Sequence, residues 1–271
     1  MSDHGAPGQI DTSRPHPARM YDYYLGGKDH YEVDLQAAAH VLEVYPGIKT
    51  CARTNRSFMH RATRWLAAEA GIRQFLDIGT GIPTEPNLHQ VAQQVAPDAR
   101  IVYTDNDPIV LTHAQALLRS TPQGRTSYIQ ADVREPERIM AAPELGDTLD
   151  LSQPVALSLN ALLHFVPDEF EPYEIVQRML EPLASGSYLV LSHCTPDFDP
   201  ATWEKVVEIY RQGGIPAQVR SRKEVEEFFT GLELVEPGVE VPHRWKPDAE
   251  AAAATVTDAE VSFWAGVARK P

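Results

Sequence analysis

Acidic residues follow three successive strand-like runs of this sequence, and a glycine turn accompanies the first of them. Asp77 precedes Gly79 and Gly81, Asp105 ends the second run, and Asp132 comes directly after the third. Such carboxylates accept hydrogen bonds from hydroxyl and amino groups, and the glycines let a ligand approach the backbone closely. Because the carboxyl ends of parallel strands share one edge of a sheet, these residues predict a single site for a nucleoside-type ligand.

The glycine turn indicates which kind of ligand this site takes. The dinucleotide fingerprint G-x-G-x-x-G needs glycine at position 84, where this chain has Thr84 directly after Pro83. The shorter D-x-G-x-G form suits a ligand without phosphate, and S-adenosylmethionine fits because its amino-acid end needs only a few partners. We therefore expect Gly79, Gly81 and Pro83 at this cofactor. A nicotinamide-dependent oxidoreductase is the weaker alternative.

The second and third acids predict how the adenosine part of the ligand is held. Asp105 is placed to accept hydrogen bonds from both ribose hydroxyls, and Asn106 would lie beside the adenine. Asp132 would meet the adenine amino group, with Val133 as an apolar neighbour. The alternative, a plain turn and helix cap, is preferred only for the two residues that follow Asn106.

The segment after the fourth strand-like run contains the candidate base. It begins at Asn160, a predicted cofactor contact, and would line the crevice near the reactive methyl group. It lacks the Asn/Asp-Pro-Pro-aromatic motif that would indicate a flipped DNA base as substrate. His164 is the candidate general base, since an ordinary imidazole has a pKa of about 6.5. A packed, hydrogen-bonded histidine is the alternative for His164, and His193 is a weaker candidate.

An aromatic, glycine-containing run near the N-terminus is the last candidate part of the site. Tyr21 begins this run, which includes Gly26 and Lys28. Aromatic faces attract a sulfonium cation, and Lys28 or Arg56 would pair with the carboxylate of the ligand. The alternative interpretation is a hinge between two helices with aromatic side chains packed beneath it.

Alternating strand and helix patterns must position these residues. Two dozen residues or so separate successive runs, which leaves room for a helix in each interval, and this alternation predicts parallel βαβ units. The expected fold is α/β, with a doubly wound, mostly parallel sheet. The strand-like runs span residues 74–78, 100–105, 126–131, 154–159, 187–192, 232–241 and 261–268.

The rest of the chain divides by composition and periodicity. Residues 1–14 are rich in Gly, Pro, Ser and Asp and predict a mobile, disordered tail. Residues 15–71 follow a helical pattern and predict an N-terminal helical cap, ahead of a Rossmann-like domain over 72–271. Within that domain, residues 198–231 contain two helix patterns and predict a helical insertion.

Composition excludes several classes of function. The formal charge of −14 repels a phosphate backbone, so nucleic acid is not expected as a partner and a small or neutral acceptor is favoured. Two cysteines, Cys51 and Cys194, are too few for an iron–sulfur or cysteine-rich zinc site, and we predict no metal centre. With no apolar run of bilayer length and no signal-like start, we expect a cytoplasmic protein. The sequence does not specify an oligomeric state.

Taken together, these motifs are similar to those of an actinobacterial family of class I, Rossmann-like S-adenosylmethionine methyltransferases. The resemblance runs from about Pro15 to the C-terminus. Its matching segments are Tyr21–Asp29, Ala52–Phe58, Phe75–Thr84, Val102–Pro108, Leu163–Asp168, Gly186–His193 and Gly266–Lys270.

The resemblance implies S-adenosylmethionine as cofactor, S-adenosylhomocysteine as product, and a seven-stranded sheet with a reversed final hairpin. It also implies Gly79, Gly81, Asp105 and Asp132 as ligand contacts, and it implies no particular acceptor. We expect methyl transfer to a small molecule covered by the N-terminal helices and by residues 203–245, with Arg244 near the acceptor. The alternative is a sensor module that binds the cofactor or its product without turnover.

Overall fold

The computed structural model describes residues 11–117 and 119–271, so most of the predicted 1–14 tail lies outside the described residues. Seven strands form one sheet in the order β3-β2-β1-β4-β5-β7-β6. Strands β1 to β5 pair in parallel, and β7 runs antiparallel to both β5 and β6. The strands are β1 Gln74–Ile78, β2 Arg100–Asp105, β3 Arg125–Gln130, β4 Ala156–Asn160, β5 Tyr188–Cys194, β6 Glu233–Leu234 and β7 Phe263–Arg269.

This order confirms the predicted α/β fold with a mostly parallel, seven-stranded sheet and a reversed final hairpin. The central strands are buried along their length because helices cover both faces of the sheet. Three helices precede the sheet: α1 Pro17–Leu25, α2 Glu32–Val44 and α3 Ile48–Ala68. The others are α4 Leu88–Val95, α5 Pro108–Leu117, α6 Pro136–Met140, α7 Pro143–Thr148, α8 Pro172–Leu180, α9 Pro200–Gln212, α10 Arg222–Glu227, α11 Ala249–Ala253 and α12 Asp258–Val261.

The prediction of a long sixth strand over 232–241 is wrong. Only the two residues of β6 pair with β7, and the chain then turns at Gly238, whose N–H bonds to Val235 O. Pro237 has no N–H to continue a strand ladder, and Gly238 has a φ of +88°, which breaks the extended backbone. Pairing resumes only at Glu240, which bridges to Ala265.

The N-terminal helices share a hydrophobic core with the sheet. Tyr24, Val41 and Ile48 are buried in the same cluster as Leu157 and Leu191 of the central strands. The boundary predicted at residue 71, between a cap and a separate domain, therefore stays a prediction. No helix among residues 11–117 and 119–271 is both long and apolar enough to cross a membrane.

A buried ion network fixes the first two helices over the sheet. The Nε of Arg19 lies 3.6 Å from Asp34 Oδ1 on α2 and 3.3 Å from Asp107 Oδ2, just before α5. His16 joins this network, because its backbone N–H donates to Asp34 Oδ1 at 2.8 Å and its Nδ1 lies 3.3 Å from Asp107 Oδ2. These contacts hold the start of α1 against the carboxyl edge of the sheet.

Arg220 organises the segment that follows β4. Its Nη1 donates to Leu163 O at 3.1 Å and to His193 Nε2 at 2.8 Å. Its Nη2 donates to Val166 O at 3.1 Å and to Asp168 Oδ1 at 2.6 Å. The Arg220 side chain is fully buried, so one guanidinium satisfies two backbone carbonyls and one imidazole away from water.

Replacing Arg220 with methionine is expected to lower the free energy of unfolding by about 3 kcal/mol, because it leaves buried acceptors without donors. Urea unfolding followed by circular dichroism measures this loss. Arg138→Met is the matched control, since Arg138 pairs with Glu135 on the surface and should contribute less than about 1 kcal/mol. Equal losses in the two variants would show that the Arg220 network does not stabilise the fold.

Candidate functional site

A cavity of about 530 Å³ lies at the carboxyl edge of the sheet, between the ends of β1 to β5, the N-terminal helices and α9. Its volume is in the range of small-molecule and cofactor sites. Most of the predicted site residues meet in this one cavity. They are Tyr21, Arg56, Gly79, Gly81, Asp105, Asn106, Asp132, Val133, Asn160 and His164.

Three predicted cofactor contacts lie outside the cavity lining. Gly26 caps α1 with a φ of +89° and is exposed, as is Lys28. The loop that holds them folds back on Asp22, whose carboxylate accepts the N–H of Asp29 at 2.9 Å. The structure thus favours the hinge interpretation for Gly26 and Lys28. Pro83 follows the glycine turn without lining the cavity.

Arg244, expected near the acceptor, also lies elsewhere. Its guanidinium pairs with Asp258 at the start of α12. The neighbouring Trp245 is fully buried and packs edge-to-face against Phe58 and Trp65. Both residues therefore belong to the packing of the C-terminal segment against α3.

The glycine turn forms the floor of the cavity. Gly79 and Gly81 have φ values of +70° and +68°, the left-handed region that favours glycine. A Cβ at Gly79 would stand 2.6 Å from a methyl carbon of Leu162, so a larger residue would require that side chain to shift. The N–H groups of Gly79 and Thr80 both donate to Thr104 O of β2, which fixes the turn against the neighbouring strand.

The Asp105 carboxylate is fixed by two backbone N–H groups. Gly81 N–H donates to Oδ2 at 2.8 Å, and Asp107 N–H donates to Oδ1 at 3.0 Å. Burial raises the pKa of Asp105, and the hydrogen bonds from Gly81 and Asp107 act in the opposite direction. Each carboxylate oxygen keeps a lone pair that can accept a ligand hydroxyl.

Asp132 stands at the end of β3 among polar neighbours. Arg134 Nη2 donates to its Oδ2 at 2.6 Å, and Asn106 Nδ2 donates to the same oxygen at 3.2 Å. Burial acts to raise the pKa of Asp132, but the hydrogen bonds from Arg134 and Asn106 outweigh it and lower the pKa. The group is therefore a carboxylate that can accept an amino group beside the apolar Val133.

Asp77, Asn55 and Tyr21 are further polar groups of the cavity lining. Asp77 is buried at the end of β1, and burial raises its pKa to about 7 against the lowering effect of hydrogen bonds from Ser158 and Thr80. Asn55 Nδ2 donates to Tyr21 Oη at 3.1 Å. Asp77 was marked by its position before the glycine turn, whereas Asn55 was marked only as part of the segment Ala52–Phe58 and was given no role.

Several buried polar atoms of the cavity have no hydrogen-bond partner among the described residues. They are Asn55 Oδ1, Arg56 Nε and Asn160 Oδ1. Leaving such atoms unpaired away from water costs free energy, so a polar ligand is expected to satisfy them. An adenosyl amino acid fits this donor and acceptor set, with hydroxyls and amino groups at the acids and a carboxylate near Arg56.

His164 lies in a short 3₁₀ turn, Leu163–Phe165, at the boundary between the polar and apolar parts of the cavity. Its Nε2 is 3.9 Å from Cys194 Sγ, and its Nδ1 has no partner among the described residues. Burial, with a smaller effect of Arg220, lowers the pKa of His164 to about 3. The ring is therefore neutral at physiological pH and only weakly basic.

His193, the weaker candidate, is held by structural contacts. Its Nδ1 donates to Cys194 O at 2.8 Å and its Nε2 accepts from Arg220. Burial lowers the pKa of His193 well below the ordinary value. With both nitrogens engaged, His193 has no free position for catalysis.

The sheet order and the cavity at its carboxyl edge define a class I, Rossmann-like methyltransferase. A family model described as S-adenosyl methyltransferase matches residues 3–271, and the chain belongs to this family. It is an S-adenosylmethionine-dependent methyltransferase, which removes the nicotinamide alternative.

Solved structures agree with this assignment. The chain is similar to a DUF574 family protein from Streptomyces avermitilis, with 53% identity, coverage of 97% of this chain and 100% of that chain, and a TM-score of 0.95. It is also similar to a candidate methyltransferase from Thermobifida fusca, with 40% identity, 99% coverage of both chains and a TM-score of 0.88. The plantazolicin methyltransferase BpumL, at 11% identity, 94% and 95% coverage and a TM-score of 0.53, shares the fold. A comparison with curated proteins finds no match.

Replacing Asp105 with alanine is expected to weaken binding of S-adenosylhomocysteine by roughly 10- to 100-fold, since a hydrogen bond to a charged group contributes about 1.5–3 kcal/mol. Isothermal titration calorimetry measures this change. Asp98→Ala, at an exposed position, is the matched control and should bind as the parent protein does. An unchanged affinity in Asp105→Ala would rule out contact between this carboxylate and the ribose.

Proposed function

We propose that this protein transfers the methyl group of S-adenosylmethionine to a small-molecule acceptor bound in the same cavity. The observation that carries the proposal is the meeting of the glycine turn and the acids of three strand ends around one cavity, which continues into an apolar region. The cavity volume of about 530 Å³ and the net charge of −14 support a small acceptor over nucleic acid. The Streptomyces and Thermobifida relatives support an actinobacterial family.

The adenosine part of the cofactor would be held by the residues at the ends of β2 and β3. Asp105 would accept the ribose hydroxyls, since it is oriented by Gly81 and Asp107 before any ligand binds. Asn106 and Asp132, which are hydrogen-bonded to each other, would face the adenine together with Val133. Backbone contacts therefore pre-organise this part of the site.

The amino-acid part of the cofactor would lie toward β1 and α3. Asp77 would pair with the ammonium group, because an anion buried without a cationic partner is costly and a ligand cation would remove that cost. Arg56, Asn55 and Asn160 have buried polar atoms without partners and would meet the carboxylate and amino groups. The hydroxyl of Tyr21 donates to Ala52 O, and this side chain would lie beside the amino-acid part of the cofactor.

The chain contributes alignment and exclusion of water. When bound, S-adenosylmethionine supplies a methyl group activated by a positively charged sulfur. The N-terminal helices and α9 cover the cavity, so the acceptor is held in a fixed orientation away from solvent. His164, neutral at the boundary of the apolar region, would position a hydroxyl of the acceptor by a hydrogen bond and receive its proton as the new bond forms.

A sensor that binds the cofactor without turnover predicts no methylated product from any acceptor. A sensor also has no need of an enclosed apolar space beside the cofactor residues. That space, walled by Phe165, Trp203 and Tyr210, supports turnover. Mass spectrometry of reactions with small hydroxyl, amino and carboxyl compounds separates the two functions, and absence of product across such a panel would favour the sensor.

The affinity for S-adenosylhomocysteine is expected to rise with pH through the pKa of Asp77, which burial raises to about 7. Protonated Asp77 cannot pair with an ammonium group, so affinity should fall about tenfold from pH 8 to pH 6, with protons released on binding at pH 7. Calorimetry in buffers of different ionisation enthalpy measures both effects. In Asp77→Asn, which cannot titrate, any remaining pH dependence belongs to the ligand, and an unaltered profile would remove Asp77 from the site.

Replacing His164 with alanine is expected to leave the affinity for S-adenosylhomocysteine within about twofold. It should lower kcat on a hydroxyl acceptor by roughly 10- to 100-fold, which is near the lower limit of the rate effects of a positioned general acid or base. Because its pKa is about 3, His164 should produce no inflection in the rate between pH 6 and pH 9. His40→Ala, at an exposed position on α2, is the control. Unchanged turnover in His164→Ala would assign this residue to packing alone.

A further inference from the structure

The apolar part of the cavity, here the acceptor chamber, has an aromatic wall. We define it by Tyr24, Phe165, Trp203, Val206, Tyr210 and Phe263, all of which line the cavity. Phe165 packs against Tyr210 with ring centroids 5.4 Å apart, and His164 lies 4.3 Å from Phe165 and 6.0 Å from Phe263 by the same measure. These rings form a continuous surface of the kind that binds flat aromatic ligands.

None of the residues that define the acceptor chamber carries a charge. The charged side chains that line the described cavity belong to the N-terminal segment, to α1, to Arg56 of α3, and to the acids and Arg134 at the ends of β1 to β3. Of these, Asp11 and Arg14 are exposed to solvent. A charged acceptor packed against the six chamber residues would find no counter-ion among them, and burying an unpaired charge is strongly unfavourable.

The chamber offers only a few polar groups. Tyr24 Oη and Tyr210 Oη lie 3.4 Å apart and are buried, and neither oxygen hydrogen-bonds to any other described residue. One of the two phenol protons is therefore free to donate to a ligand. His164 Nδ1 and Trp203 Nε1 are buried polar atoms of the lining without a partner among the described residues. Apolar walls with a few polar groups fix the orientation of a ligand.

We propose that the acceptor is an uncharged aromatic compound that is methylated on a hydroxyl oxygen, with its ring held by the acceptor chamber and its hydroxyl at His164. This inference rests on the proposed function. It adds the chemical class of the acceptor, which follows from aromatic walls, the absence of counter-ions in the chamber and the unpaired imidazole nitrogen.

The transfer balances without a further reactant. A lone pair of the hydroxyl oxygen forms the O–CH₃ bond while the S–CH₃ bond breaks and its electron pair stays on sulfur. The hydroxyl proton passes to the imidazole of His164 and from there to water. A weak base suffices, because the oxygen becomes strongly acidic as its bond to carbon forms. The ether product is neutral, so no charge is left on the product in the acceptor chamber.

Three probes of one shape test the charge preference: 2-naphthol, 2-naphthoate and 2-naphthylmethylammonium. Calorimetry with protein saturated by S-adenosylhomocysteine should show that 2-naphthol binds at least about tenfold more tightly than either ion, a difference of about 1.4 kcal/mol. Mass spectrometry with S-adenosylmethionine should show methylation of the naphthol oxygen. Equal or tighter binding of a charged probe, or no binding or methylation of 2-naphthol, would overturn the inference.

A charge placed in the chamber should reverse the preference. Val207 lines the cavity on α9 and is only partly buried, so Val207→Lys is expected to raise 2-naphthoate affinity at least about tenfold and to lower 2-naphthol affinity. Leu234→Lys, at an exposed position of β6, is the matched control and should alter neither probe. If both lysine variants behave alike, the chamber does not hold the aromatic ring.

Binding of S-adenosylhomocysteine to the parent protein and to each variant distinguishes failure of the proposed function from failure of the inferred acceptor class. If the parent protein does not bind S-adenosylhomocysteine, the proposed function itself is overturned. Retained binding with no preference among the three aromatic probes would overturn only the inferred acceptor class. Retained binding in Val207→Lys also shows that this variant is folded.

Discussion

The hydrogen bond from Gly81 N–H to the Asp105 carboxylate joins the two strand ends on which the cofactor site depends. It holds the glycine turn of β1 against the acid of β2, and Asp107 N–H binds the other oxygen of the same carboxylate. An anion buried at a sheet edge is tolerable only when such donors surround it. The orientation of Asp105 is therefore fixed by the backbone without a ligand, which suits the role that we propose for it.

The cavity is divided by charge. Its cofactor end contains acids and arginines, whereas the acceptor chamber contains rings and aliphatic groups. Burial and Arg220 together keep His164, which lines the cavity, neutral. A sulfonium donor and an uncharged acceptor are then each placed in surroundings that suit their charge.

The N-terminal helices complete the cavity, and ion pairs between buried side chains hold them there. Arg19 lies between Asp34 and Asp107, and so connects α1 and α2 to the loop that also carries Asp105. The desolvation of such buried charges offsets much of their mutual attraction, so the network is weak evidence for added stability. We infer that the position of the helices over the acceptor chamber is coupled to the same loop that binds the cofactor.

The sequence by itself determined the strands and the acids at their ends. Strands β1 to β5 begin and end within two residues of the predicted runs, because apolar segments buried on both faces have a clear local pattern. Asp105 and Asp132 were predictable since strand ends share one edge. The sixth strand is short because Pro237 has no N–H to donate. Pro237 is a local signal, but the prediction of a longer strand relied on the apolar pattern instead.

Only the tertiary structure decided which distant residues meet at the cavity. It brought Asn55 and Arg56 of α3 to the cofactor end and left Lys28 in solvent, because the rotation of a helix and the path of a loop depend on packing across the whole chain. It also made His164 a neutral, weakly basic group. That outcome depends on burial and on Arg220, 56 residues further along the chain (220 − 164), and no local pattern encodes either.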